Sequence, residues 1–226
     1  MRTRFVKSSE NNTQIRIQPC SLDQTSTIFK IASDTAFFGE PVEIYLEDRN
    51  LFCDIFYRYY ITFQIDVSLV AMINQNVVGF IMGCYDTKIQ IKQWISSILP
   101  LIMKKTVGGQ YHFGPLTWHY LFALCRQKMV EKKQVIDLSV YPAHLHINVD
   151  KDWRGLGIGE KLLQEYINLL KGKKVVGVHL NTTDQNQAAC KLYEKMGFQL
   201  IASHSTKLWS YWLDHLVEIR SYGLRL

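Results

Sequence analysis

Paired cysteines are missing from this chain. Its five (Cys20, Cys53, Cys84, Cys125 and Cys190) are an odd number, widely spaced and without a C-x-x-C pair. That argues against a disulfide framework or a zinc site and fits a reducing, cytoplasmic compartment. Proline is scarce at five residues and the apolar fraction is 47%, the composition of a folded globular protein. Long hydrophobic runs are missing too: the longest, 94–103, is interrupted by Ser96, Ser97 and Pro100 and is too short to span a bilayer. The basic first twelve residues lead into no apolar segment, so no signal peptide is expected. No run of Lys/Arg interleaves with aromatics, which disfavours a nucleic-acid partner.

At 226 residues the chain is long enough for one well-filled α/β domain. The net charge of +6 is unevenly spread: residues 21–90 hold four Lys/Arg against nine Asp/Glu, and residues 151–226 hold eleven against seven. An acidic first half beside a basic second half suits a cationic substrate and a polyanionic cofactor, although solvated surface charge would read the same. Alternation predicts a strand at 14–19, then a helix over 22–33 and a turn-rich loop over 34–41 with two exposed aromatics, Phe37 and Phe38. Apolar residues at i, i+3/i+4 predict a helix between 43 and 60. Two β-rich runs, 67–73 and 77–84, flank Asn74-Gln75-Asn76 as a hairpin.

Residues 88–134, punctuated by Pro100, Gly108-Gly109 and Gly114-Pro115, read as an insertion with helical stretches at 89–99 and 116–130. Its apolar content suits a buried helix better than a membrane- or partner-facing one. Beyond it come a strand (143–149), a glycine-rich turn (150–159), a helix (160–170), a strand (175–180) and a helix (185–196). Closing strands are expected at 198–203 and from 207 towards 220.

Gly155, Gly157 and Gly159 alternate between a strand and a helix. Without Cβ atoms the backbone bends tightly and lets a phosphate approach its N–H groups, while the helix behind offers unpaired donors and a partial positive charge. Arg154 adds a planar cation suited to phosphate oxygens. In outline this is a pyrophosphate cradle; for the glycines alone, a flexible strand-to-helix turn is an equal reading. A P-loop would end in Gly-Lys-Ser/Thr, but Glu160 follows Gly159. A dinucleotide fingerprint would place its third glycine where Glu160 stands and an acidic residue where Asn181 closes the next strand.

The residues resemble one family. Arg154-Gly-Leu-Gly-Ile-Gly is similar to the Q/R-x-x-G-x-G/A pyrophosphate motif of the GNAT superfamily of acyl-CoA N-acyltransferases. Asn186-Gln-Ala-Ala-Cys-Lys-Leu-Tyr-Glu-Lys-Met-Gly-Phe is similar, almost letter for letter, to its N-x-x-A-x-x-L-Y-E-K-x-G-F segment. Tyr141-Pro-Ala-His-Leu-His-Ile and Val178-His-Leu further resemble the acetyltransferase-like domain of O-GlcNAc hydrolases and its free-standing bacterial relatives. The resemblance runs from about Tyr141 to Phe198, extends more loosely to the strands before Tyr85, and does not cover the insertion. It implies the α/β GNAT fold, a mixed central β-sheet flanked by helices, with the partly helical insertion before the cofactor-binding strand. One domain would comprise an acceptor-side half (13–87), the insertion (88–134) and an acyl-CoA-binding half (135–226).

The activity implied is N-acetyl transfer from acetyl-CoA to a primary amine, of a small molecule or a protein, by direct attack in a ternary complex. The resemblance implies that Ile147 and Val149 meet the pantetheine arm. Arg154, Gly155, Leu156, Gly157, Ile158 and Gly159 would hold the pyrophosphate, and Asn181, Asn186, Ala189 and Tyr193 would complete the coenzyme A site. Tyr193 is the candidate general acid for the departing thiolate. A protonated amine cannot attack, so a base is needed: His146, alternating with His144 along its strand, is the first candidate, and Glu40 and Asp34 are rivals. Asp34, Phe37, Phe38, Glu40, Tyr60 and His144 would line an acceptor site for an aromatic or cationic amine. Metal and covalent chemistry are not expected, since Cys190 has no activating partner. The alternative is a GNAT-shaped module that binds acyl-CoA or a partner without chemistry.

Overall fold

Period-two alternation carries apolar side chains to both faces of one central sheet, and amphipathic helices close over each face. The computed structural model describes residues 14–131 and 135–226. The signal-peptide reading of the first twelve residues, and the 132–134 end of the insertion, lie outside them. The strands are β1 (Arg16–Pro19), β2 (Leu69–Ile73), β3 (Asn76–Cys84), β4 (Ala143–Val149), β5 (Gly177–Thr183), β6 (Gln199–Thr206) and β7 (Val217–Arg225). The helices are α1 (Thr25–Asp34), α2 (Arg49–Phe56), α3 (Arg58–Phe63), α4 (Thr87–Gln93), α5 (Leu99–Val107), α6 (Pro115–Val130), α7 (Ile158–Gly172) and α8 (Gln187–Lys195).

The sheet runs β1-β2-β3-β4-β5-β7-β6 and is antiparallel except for β4 beside β5. Asn74 and Gln75, at φ of 47° and 69°, close the β2–β3 hairpin in the left-handed geometry that two-residue hairpins favour. Phe80, Met82 and Cys84 of β3 stand opposite Asn148, His146 and His144 of β4, and α1, α2 and α3 cover this face. Ile81 and Leu145 point to the other face, beneath α7 and α8. The α7 stripe of Ile158, Leu162, Leu163, Tyr166, Ile167 and Leu170 is buried there, and each such side chain contributes about 1.5–3 kcal/mol.

Four local expectations need correction. The helix expected between 43 and 60 is split: Asp48 caps α2 by accepting from the Leu51 N–H at 2.8 Å, and non-helical Tyr57 (φ −124°) separates α2 from α3. Pro100 does not end the insertion's first helix. A π-helical turn at Trp94–Ile98 lets the Leu99 N–H reach the Trp94 carbonyl, and Pro100 sits in the first turn of α5, where its missing N–H costs nothing. The insertion is only half-buried. Ile98, Thr117, Tyr120 and Gln127 are buried, whereas Ile95, Met103, Trp118 and Phe122 are exposed. Finally, the closing strand begins at Val217, not near 207; Leu208, Trp209, Trp212 and Leu213 instead turn inward and pack against the first core cluster.

The insertion is fastened by a buried charge. Asp54 on α2, its side chain 1% exposed, binds Arg58 at 2.7 Å, Lys105 of α5 at 2.5 Å and the Tyr111 hydroxyl at 2.7 Å. Burial alone would raise its pKa, but these three partners outweigh it and hold the carboxyl below its ordinary value.

Candidate functional site

The site starts where β4 runs out. Asp150 accepts from the Asp152 N–H at 3.1 Å, which turns the chain, and Gly155 and Gly157 follow at φ of 79° and 75°. Side chains other than glycine are strained in that region, so the spacing of these two glycines is a backbone requirement. Gly157 is the N-cap residue of α7, no side-chain hydrogen bond caps the helix among the described residues, and its first internal bond runs from the Lys161 N–H to the Gly157 carbonyl. The N–H groups of the first turn are thus left for an external acceptor. At Gly159 a Cβ would come within 3.1 Å of Leu192, so its bare backbone lets α7 approach α8.

These residues line a cavity of about 380 Å³. Ile147, Asn148 and Val149 form its wall on β4, Arg154 and the glycine turn one end, and Asn186, Ala189, Leu192 and Tyr193 of the α8 side its floor. Arg154 reaches from the Val149 carbonyl at 3.3 Å to the Gly39 carbonyl at 3.4 Å, drawing the 35–41 loop to the rim. Asn186 also caps α8 by accepting from the Ala189 N–H at 3.2 Å. Tyr193 is 5% exposed, and burial, with smaller effects of Cys190 and Tyr222, raises its pKa. Its phenol therefore stays protonated at neutral pH.

A second cavity, about 320 Å³, lies further back along β4. The parallel pairing of β4 and β5 lasts for only two residue pairs, Ala143 with Val178 and His144 with His179. Beyond them no further pair is formed, and the following β4 residues line the two cavities. His144, His146, His179, Tyr60 and Asn181 line the second cavity.

The hydrogen bonds here fit one consistent assignment of protons, in which Cys84 Sγ also stands 3.3 Å from His144 Nδ1. The Thr87 hydroxyl donates to the Pro142 carbonyl at 2.7 Å, so it accepts from His144 Nδ1 at 2.8 Å. His144 Nε2 therefore carries the lone pair and accepts from the Tyr60 hydroxyl at 2.6 Å. The Tyr60 oxygen in turn accepts from His146 Nε2 at 3.1 Å, which leaves the lone pair of His146 on Nδ1. Burial, then the field of His179, lowers the His146 pKa to about 4, and burial, then His146 and His179, holds His144 well below its ordinary value. Both imidazoles are neutral at pH 7.

The structure brings Ile147, Val149, Arg154, Gly155, Gly157, Ile158, Gly159, Asn186, Ala189, Tyr193 and Phe38 to the first cavity, and Tyr60, His144, His146 and Asn181 to the second. Leu156 is exposed beside the turn. Phe37, expected on the surface, is 9% exposed and packs against Tyr45 and Trp209. Asp34 is tied to Lys30 at 2.7 Å and to Arg49 at 2.5 Å, and exposed Glu40 lines neither cavity.

Residues 124–198 match the model of the Acetyltransferase (GNAT) family. Among solved structures, SsHAT superposes with a TM-score of 0.70 at 23% identity, covering 93% of this chain and 98% of that one. The ribosomal-protein-alanine N-acetyltransferase of Brucella melitensis gives 0.57 at 16% identity, covering 93% and 99%. The yncA protein of Salmonella typhimurium, solved with its cofactor acetyl-CoA, gives 0.56 at 15% identity, covering 94% of each chain. The chain has the GNAT fold. At these identities the likeness is one of architecture, so what this chain does must be argued from its own side chains.

Sequence reasoning missed several residues of the candidate site. Trp153 lines the first cavity, and Gln90, Trp94 and Phe56 line the second. Tyr57 donates to Asn148 at 3.1 Å, and Asn148 donates to Thr35 at 2.7 Å, locking the end of β4. Only the alternation of Asn148 with His144 and His146 marked any of these in the sequence.

Proposed function

We propose that this chain is an acetyl-CoA-dependent N-acetyltransferase that acts on a primary amine in a ternary complex. The observation that carries the reading is the uncapped N-terminus of α7, whose glycine turn opens into a cavity walled by the same strand, β4, that carries His146. The fit to coenzyme A is chemical: orphan backbone donors and Arg154 suit a pyrophosphate, and the apolar wall of Ile147, Val149, Ala189 and Leu192 suits a pantetheine arm. Acetyl-CoA would supply an activated acetyl group.

This chain's residues do the rest. His146 takes the amine proton on Nδ1 and shares the positive charge with His144 through Tyr60, because its Nε2–H already points at the Tyr60 oxygen and the Tyr60 O–H at His144. Tyr193, protonated throughout the working range, holds a proton for the leaving thiolate. The parted strands free β4 backbone groups to stabilise a developing oxyanion. Placement favours His146 over Glu40 and Asp34 as base, since neither carboxylate lines a cavity.

The finer resemblance to the acetyltransferase-like domain of O-GlcNAc hydrolases supports a second reading, a binding module without turnover. The observation in its favour is that His144 is satisfied on both ring nitrogens, as a structural residue would be. Thiol release and product mass from acetyl-CoA and an amine panel separate the two. The first reading expects turnover that falls in Tyr193→Phe at saturating acetyl-CoA; full turnover in that variant removes Tyr193 as the acid.

A further inference from the structure

Among the described residues, fourteen line the second cavity, and none of them is Asp, Glu, Lys or Arg. Its walls are the rings of Phe56, Tyr59, Tyr60 and Trp94, with Gln90 and Asn181 as polar groups. Trp94 is held in place by its indole N–H, which donates to the Ile55 carbonyl at 3.0 Å, and the Tyr59 hydroxyl donates to Gln93 at 2.9 Å. These rings are fixed surfaces. Nearby Asp86 is committed to the Lys88 and Ile89 N–H groups at the start of α4, at 2.7 Å and 3.1 Å.

A cation entering this space would lose water and gain no counter-charge, which costs several kcal/mol. The histidines already register that cost, because the burial that keeps His144 and His146 neutral acts equally on an ammonium group. A volume of about 320 Å³ lies at the small end of the roughly 300–1,000 Å³ typical of small-molecule sites, and holds a substituted ring better than an extended polyamine.

We infer that the acceptor is a small aromatic amine whose nitrogen is uncharged at neutral pH, an arylamine, seated between Trp94 and the Tyr59–Tyr60 wall and presenting its N–H to His146. This rests on the acetyltransferase reading above. The amine nitrogen forms the new bond to the acetyl carbon as the carbon–sulfur bond breaks; its proton goes to His146, and Tyr193 protonates the departing thiolate. An arylamine needs no prior deprotonation, because its lone pair is delocalised into the ring, so a base as weak as buried His146 suffices. The insertion then has a defined purpose, since α4 and the π-helical turn after it supply Gln90, Ile91 and Trp94 to the cavity.

The test compares para-substituted anilines with benzylamine, spermidine and a lysine peptide, using the full chain at pH 7 with saturating acetyl-CoA, read by thiol release and product mass. The expected result is a kcat/KM for anilines at least about tenfold above that for the three cationic amines, each tenfold being 1.4 kcal/mol of discrimination. Gln90→Glu, which adds a carboxylate to the cavity, should narrow or reverse the ratio, and Asn181→Asp should do so from the opposite wall should Gln90→Glu fail to fold. Preference for spermidine, benzylamine or the peptide in the wild type overturns the inference, as does a ratio that neither variant moves. Calorimetric titration with acetyl-CoA on the same preparation tells the failures apart. Binding with a cationic preference sinks the acceptor class alone; binding with no amine accepted sinks it together with turnover and leaves the binding module, and no binding sinks the acetyltransferase reading beneath it.

Discussion

Burial of His146 should make the folded protein sensitive to mild acid, and replacing that histidine should remove a measurable part of the sensitivity. Its pKa is about 4 in the folded chain against 6.5 for a free imidazole. The unfolded chain therefore takes up a proton as pH falls below 6.5 while the folded chain does not. A depressed folded pKa gives stability that is full above the unfolded value and is lost as pH falls through the folded one. Between pH 8 and pH 5 the loss from this one group is about 2 kcal/mol. For a domain of this size that corresponds to roughly 4–8 °C in Tm, or about 1 M in the urea midpoint. His146→Gln keeps a polar side chain at the position and cannot titrate. Thermal and urea melts of both proteins at pH 8 and pH 5 give the double difference, in which groups common to both cancel. The expected result is a smaller acid-induced drop in the variant by the amounts above. Equal drops would mean that His146 is protonated in the folded state near pH 6, and would refute its role as a neutral base.

Two other perturbations follow from named contacts. Asp54→Ala strands Lys105 and Arg58, but both are partly exposed, at 24% and 30%, and can reach water. The cost should therefore sit at the low end of the buried-pair range, about 3 kcal/mol, read as a lower urea midpoint; a shift below one third of that would show that the clamp does not hold the insertion. Tyr60→Phe removes the hydroxyl between His144 and His146. It should lower kcat and shift the acidic limb of the pH–rate profile while leaving acetyl-CoA affinity unchanged, and an unaltered profile would rule out charge sharing through Tyr60.

The glycine turn and the α8 segment were legible because their chemistry is local: positive φ at Gly155 and Gly157, and a cap from Asn186, are properties of a few adjacent residues. The strand at 143–149 was readable from alternation for the same reason. The parting of β4 from β5 was not, because a loss of register depends on two strands about thirty residues apart and leaves no mark on either. Nor was the Tyr60–His146 contact, which joins positions 86 apart. Pro100 misled because a helix breaker was weighed without the π-helical turn that accommodates it. The run from 207 towards 220 suggested a strand, while the Tyr45 and Tyr120 rings that Trp209 meets lie far away in sequence. Glu40 and Asp34 looked like catalytic carboxylates by type, and only their placement outside both cavities, with the ion pairs of Asp34, separated them from His146.

Calorimetric titration of wild type beside Gly157→Asp asks whether the turn before α7 holds the pyrophosphate of acetyl-CoA. The variant sets a carboxylate among the orphan N–H groups and forces a side chain into φ 75°. The expected result is micromolar binding by wild type, abolished in the variant, with the variant still folded by circular dichroism. Absence of acetyl-CoA binding to the wild type, or undiminished binding by Gly157→Asp, would contradict it.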